Sequence, residues 1–137
     1  MIRLKTRTLL LLCALMLLGA AALAGAEPAR RVLGTEQLRV LYWPKHEELA
    51  KIARDSGSDA LVRLQGMLNV EPEDRIDVYI VRSHEEFDEL SGGGSKPWTL
   101  GRAIPGRLRV VVKPMGPQRL PKLLAHELAH IMLDVRM

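Results

Sequence analysis

The segment from Pro121 to about Val135 leaves fewer structural alternatives than any other part of the sequence. It contains the run His126-Glu127-Leu128-Ala129-His130, a His-Glu-x-x-His motif, and no proline follows Pro121. Proline suits the first turn of a helix, where its missing N–H costs nothing. Uncharged and mostly apolar residues flank the motif, namely Leu123, Leu124, Ala125, Leu128, Ala129, Ile131, Met132 and Leu133. The pattern predicts a buried final helix that carries both histidines.

The spacing of His126 and His130 suits a shared metal ion. Residues four apart on a helix lie about 40° apart around its axis, so both imidazoles can reach one ion. Zn²⁺ accepts neutral imidazole nitrogen, and two histidines leave room for a third ligand and a water. Glu127 projects to the side of this site, where it can take a proton from zinc-bound water as that water attacks a carbonyl. The alternative, an amphipathic helix with two solvated histidines, fits the apolar flanks less well.

The other acidic and histidine residues give weaker signals. Asp134 lies one turn beyond His130 and could orient an imidazole from a second shell around the metal. A solvated carboxylate at the helix end is the favoured interpretation of Asp134. His46 and His84 lie among charged residues, and we expect both at the surface.

The sequence before the final helix alternates between strand-like and helix-like patterns. Alternation or compact β-branched runs predict strands, and apolar residues at helical spacing predict helices. The predicted strands are 38–43, 76–81, 98–104 and 107–112, and the predicted helices before the last one are 46–68 and 84–90. This order predicts a mixed β-sheet with packed helices, an α+β domain that ends in the motif-bearing helix.

Local signals refine these elements. Gly57, between two serines, is expected to weaken or break the first helix. Ser83 can cap the second helix, with Glu86 at the capping-box position. The pair Pro105-Gly106 suits a type II turn between the last two strands.

Residues 1–26 have the pattern of a secretory signal peptide. Arg3, Lys5 and Arg7 precede a leucine-rich run, and small residues follow it. This order predicts export to the periplasm or the medium, with cleavage after Ala24 or Ala26. The alternative is an uncleaved membrane anchor, because the apolar stretch is just long enough to span a bilayer.

Removing the signal peptide changes what the composition implies. The remaining residues, 27–137, suffice for one small domain. Cys13 leaves with the signal peptide, which excludes thiol catalysis and cysteine metal ligation in the mature chain. The signal peptide also holds most of the net charge of +4. The mature chain therefore lacks a basic field, and we expect no nucleic-acid partner.

The order of these segments resembles the zincin metallopeptidases, and more narrowly the gluzincin (peptidase MA-like, thermolysin-type) domains of secreted bacterial proteins. The resemblance covers roughly Leu38 to Leu133, and only the His-Glu-x-x-His run is specific. It implies zinc held by His126 and His130, Glu127 as general base, and a peptide or protein substrate. It also implies that 98–104 is an edge strand that pairs with substrate through Thr99, Leu100, Gly101, Arg102, Ala103 and Ile104. The alternative for that segment is an ordinary hairpin arm.

The sequence departs from the gluzincin pattern after the motif. Gluzincins take a third ligand, a glutamate, from a second helix well downstream, and no glutamate follows Glu127 before Met137. The resemblance therefore covers only the upper lobe. Three explanations stay open: a truncated product, a partner chain that supplies the third ligand and the lower lobe, or a non-catalytic binding domain.

Overall fold

The computed structural model describes residues 28–137, so the predicted signal peptide, its cleavage sites and Cys13 lie outside the described residues. Five strands and three α-helices follow one another along the chain. They are β1 (Arg31–Gly34), β2 (Leu38–Tyr42), α1 (Glu47–Leu68), β3 (Ile76–Ile80), α2 (His84–Ser91), β4 (Gly101–Ile104), β5 (Arg109–Val112) and α3 (Leu120–Arg136). Within these residues, no helix combines the length and the apolar character that crossing a bilayer requires.

All five strands belong to one mixed sheet, in the order β1-β2-β3-β5-β4. The central strands β2, β3 and β5 are parallel, whereas β1 and β4 pair antiparallel at the two edges. The predicted α+β class with a mixed sheet and packed helices is therefore confirmed. The sequence patterns did not predict β1, whose residues are mostly exposed.

Alternating side chains divide the sheet into two faces. Leu38, Val40 and Tyr42 of β2 are buried on one face, and the other two central strands contribute to the same core. Helices α1 and α3 cover this face and pack against each other. The opposite face carries a smaller core under α2, where Phe87 packs with Val81 and Val111.

Gly57 does not interrupt α1, contrary to the expectation of a break. The helix runs continuously to Leu68, and its C-cap residue Asn69 adopts the left-handed conformation. Gly57 is buried, and a Cβ atom placed there would lie 2.8 Å from Leu38 Cδ2 and 3.1 Å from Leu124 Cδ2. The glycine therefore lets α1 pack closely against both the sheet and α3.

The connections differ in detail from the sequence predictions. Pro105–Arg107 forms a 3-10 turn, and the positive φ of 46° falls on Leu108, so the predicted type II turn, which requires a positive φ at Gly106, is wrong. Ser83 caps α2 as predicted, because its Oγ accepts from the Glu86 N–H at 3.1 Å. The Glu86 carboxylate accepts from the Arg82 N–H rather than from the Ser83 N–H that a capping box uses.

Candidate functional site

The two motif histidines face each other on the outer side of α3. Both are exposed, so α3 is an amphipathic helix with solvated histidines, the arrangement that the sequence favoured less, because only one side of the helix is buried. Their Nε2 atoms lie 3.1 Å apart. Two nitrogens bound to one tetrahedral zinc, each about 2.0–2.1 Å from the ion, would be separated by about 3.3 Å. His126 and His130 therefore fit two adjacent ligand positions of zinc. The same distance also suits an N–H···N hydrogen bond between neutral rings.

The histidines point outward because the opposite side of α3 is anchored in the core. Leu124, Leu128 and Ile131 have no exposed surface and pack between α1 and the sheet. These leucine and isoleucine positions repeat at helical spacing, which leaves positions 126 and 130 together on the other face. The apolar residues that flank the motif thus fix the orientation of the two imidazoles.

Glu127 lies between the histidine-bearing face and strand β4. It is only 8% exposed. A Cβ atom on Gly101 would lie 3.5 Å from Glu127 Cγ and 3.0 Å from Leu123 Cδ2, so β4 passes directly against this part of α3. None of the ion pairs formed among residues 28–137 involves Glu127. Its carboxylate is therefore sheltered without being neutralised by a neighbouring cation.

Strand β4 is an edge strand beside the motif helix. Its inner side pairs with β5, from Gly101 opposite Val112 to Ile104 opposite Arg109. Its outer side has no neighbouring strand among the described residues. An edge of this kind can accept an extended peptide through backbone hydrogen bonds.

The six predicted substrate-binding residues do not all point the same way. Ala103 packs on the core beneath α3. Ile104 contacts the α2 side of the sheet, and Arg102 donates there to the Gly93 carbonyl at 2.8 Å. Gly101 lies beside Glu127, since a Cβ atom built on it would be 3.5 Å from Glu127 Cγ.

Residues Thr99 and Leu100 precede β4 instead of belonging to it, so the strand is shorter than the predicted 98–104. The Leu100 carbonyl still accepts from the Lys113 N–H at 2.8 Å and extends the pairing by one residue. Thr99 turns back, since its N–H donates to the Lys96 carbonyl and its Oγ1 accepts from the Lys96 N–H. The ladder beside the motif thus begins at Leu100.

The described part of the chain supplies no third ligand. Residues 28–137 contain no group of three His, Cys, Asp or Glu side chains placed to hold one ion. Asp134 is exposed at the end of α3, and none of the side-chain hydrogen bonds found in this region joins it to His126 or His130. A complete zinc site therefore needs a group from outside these residues.

The two remaining histidines lie elsewhere. His84 is partly exposed, with Nε2 3.4 Å from Asp88 and Nδ1 2.9 Å from the Lys113 ammonium. His46 is half-buried rather than fully at the surface, and its Nδ1 has no hydrogen-bond partner among the described residues. Burial, followed by the charge of Lys45, lowers the pKa of His46.

Sequence reasoning missed a hollow beside His126. It has a volume of about 400 Å³ and lies where the residues before β4 meet the first turns of α3. We call it the His126 hollow; its lining residues are Leu100, Met115, Gln118, Arg119, Lys122, Leu123 and His126. Lys122 and Leu123 precede His126 by four and three residues, so helical spacing alone would have placed them on its face.

No model of a protein family matches this chain, and no curated protein does so either. The resemblance to gluzincins therefore rests on the residues described above.

Proposed function

We propose that this domain is a zinc-dependent peptidase of the gluzincin type, with His126 and His130 as zinc ligands and Glu127 as general base. The observation that carries the proposal is the facing pair of Nε2 atoms, 3.1 Å apart, next to a sheltered carboxylate. The free edge of β4 supplies a place for an extended peptide or protein substrate. These features occur together at one side of α3.

In the proposed reaction, the backbone of β4 binds the substrate by strand addition and holds the scissile bond beside α3. Zinc, when bound, lowers the pKa of water and polarises a carbonyl. Glu127 accepts a proton from the attacking water while the new C–O bond forms. Glu127 then passes this proton to the leaving nitrogen as the C–N bond breaks.

The proposal requires a third protein ligand from outside residues 28–137. We propose that further polypeptide supplies it together with the lower wall of the cleft, and a partner chain is one such source. If residues 1–26 act as a signal peptide, hydrolysis takes place outside the cytoplasm.

Zinc content and the variant Glu127→Gln test the proposal. Two histidines hold the ion more weakly than three protein ligands would, so zinc is measured at equilibrium with the added metal. Under these conditions the protein should bind about one ion per chain by atomic spectroscopy, and Glu127→Gln should bind it equally. Hydrolysis of a peptide mixture, followed by mass spectrometry, should fall by about 10²–10⁴-fold in this variant, the usual contribution of a general base. His126→Ala should lose both zinc and hydrolysis.

Two results would contradict this function. A zinc content near zero after supplementation would remove the metal site. Equal peptide turnover by the wild-type protein and Glu127→Gln would remove the assigned base.

A second candidate is an exported domain that binds extended peptides without cleaving them. The lack of a third ligand within residues 28–137 favours it. It predicts that the wild-type protein binds peptides along β4 and that no peptide is hydrolysed, even with zinc present.

A further inference from the structure

The His126 hollow is lined by both apolar and cationic side chains. Leu100, Met115 and Leu123 supply apolar surface. Arg119 is the N-cap residue of α3, and Lys122 lies in its first turn. Its volume of about 400 Å³ is in the lower part of the range for sites that bind small molecules or single side chains. The hollow therefore suits one residue of an extended chain rather than a folded partner.

The charge of this hollow is uncompensated. No acidic residue lines it, and neither Arg119 nor Lys122 takes part in an ion pair within residues 28–137. The first turn of α3 also contains no acidic residue. The partial positive charge of the helix N-terminus consequently adds to that of the two side chains.

Arg119 and Lys122 lie at the end of α3 where the helix dipole disfavours cations. Cations near a helix N-terminus oppose the helix dipole, whereas acidic residues favour it. Both side chains are exposed, so they do not serve the core either. Their position beside an apolar hollow is more readily explained by an anionic ligand than by folding.

We propose that the His126 hollow receives a carboxylate-bearing residue of the substrate, and this inference rests on the proposed peptidase function. A peptide paired with β4 continues past Leu100, where the ladder begins, and passes over the hollow. The methylene groups of an acidic residue would contact Leu123 and Met115, and its carboxylate would reach Arg119 and Lys122. The carboxylate comes either from a glutamate side chain or from the C-terminus of the peptide.

Peptide binding tests the inference without requiring hydrolysis. The probes are fluorescein-labelled octapeptides of alanine and valine with one central position changed from glutamine to glutamate and an amidated C-terminus. A second pair has the same neutral sequence in both peptides, and one of them ends in a free carboxylate while the other is amidated. Binding to the full chain carrying Glu127→Gln, with zinc present, is measured by fluorescence anisotropy.

We expect one carboxylate-bearing peptide to bind about tenfold more tightly than its neutral counterpart, the size expected for charge-assisted hydrogen bonds that remain partly solvated. The preferred peptide identifies which source of carboxylate the hollow accepts. The double variant Arg119→Gln and Lys122→Gln should lose the preference. The control Arg136→Gln removes an exposed cation from the opposite end of α3 and should keep it.

Equal binding of charged and neutral peptides, or no binding of any of them, would overturn the inference. Preference retained in the double variant would overturn it as well. Hydrolysis by the wild-type protein without a charge preference would leave the peptidase function standing and refute only this inference. A charge preference without hydrolysis by the wild-type protein would support the carboxylate site in the hollow and count against the peptidase function.

Discussion

Single residues determine how closely the motif helix approaches the sheet edge. Gly101 lies where β4 passes Leu123 and Glu127, and the space for one additional carbon atom is already occupied. The position of the proposed base relative to the edge strand β4 thus depends on the absence of a side chain at Gly101.

Gly101→Ala should therefore push β4 away from α3. The new methyl group would lie 3.0 Å from Leu123 Cδ2. Overpacking of this kind lowers the free energy of unfolding by about 1–3 kcal/mol. We expect a decrease near the lower end of this range, because Leu123 is partly exposed and can move. Urea unfolding measures the change. Gly106→Ala is the control, since a Cβ atom there has no atom within 4 Å. Equal stability of the two variants would contradict the close approach.

Glu86 illustrates a residue whose charge depends on its partners. Burial favours its neutral form, but donors from the Arg30 guanidinium, the Arg82 N–H and the Trp43 indole outweigh burial and lower its pKa below 4.5. The folded state therefore favours the ionised carboxylate. The resulting stability is present above the pKa of the unfolded chain and is lost as the pH falls through the folded pKa.

Glu86→Gln should accordingly destabilise the protein at pH 7 and much less in acid. The loss at pH 7 is expected to be about 1–3 kcal/mol, the value of hydrogen bonds to a charged group. Urea unfolding of both proteins at pH 7 and pH 3 measures the difference. Glu85→Gln, at an exposed position in the same turn, should change little. A difference that does not vary with pH would contradict the role of ionisation.

At the scale of elements, sequence periodicity predicted the helices and central strands because apolar residues follow one face in each of them. It missed β1, since Arg31 and Val32 are exposed and the strand exists only by pairing with β2. It also misjudged Gly57, because the local cost of glycine in a helix is outweighed by close packing with Leu38 and Leu124. Such contacts join distant parts of the chain and leave no local pattern.

The two glycines of α1 provide a matched comparison of these effects. Gly66→Ala meets no atom within 4 Å and should stabilise the helix by about 0.5–1 kcal/mol. Gly57→Ala gains the same helix propensity but must displace the buried side chains of Leu38 and Leu124. We expect it to be about 1–3 kcal/mol less stable than Gly66→Ala in thermal or urea unfolding. An equal increase in the free energy of unfolding in both variants would contradict this, since it would mean that the side chains around Gly57 move aside without cost.

At the scale of the whole molecule, the sequence of one helix sufficed to predict the motif, but it did not predict which residues surround the motif in the fold. Spacing alone predicted that His126 and His130 share a face. The closeness of Glu127 to Gly101 and the His126 hollow arise from the order of strands in the sheet, which no local pattern encodes. The surroundings of the motif are thus set by the strand order of the sheet, whereas the motif itself is set by the local sequence.

Zinc should stabilise the folded molecule as a whole, because the folded helix α3 holds the Nε2 atoms of the two proposed ligands 3.1 Å apart and unfolding loses this arrangement. A ligand that binds only the folded state at a hundredfold excess over its Kd adds about 2.7 kcal/mol of stability. Thermal unfolding at increasing zinc concentration should therefore give a rising Tm, and His126→Ala should abolish the rise. His84→Ala removes a histidine away from the pair and should retain it. An equal rise in His126→Ala would contradict this site.

The strand order also determines when this chain can bury its core. The parallel strands β2, β3 and β5 come from widely separated parts of the sequence, and α3, which covers them with α1, follows every other described element. A nascent chain that still lacks Leu124, Leu128 and Ile131 exposes the apolar face of its sheet to water. Until α3 has formed, this exposed apolar face can associate with other chains, so the last described helix sets how long the protein is prone to aggregate.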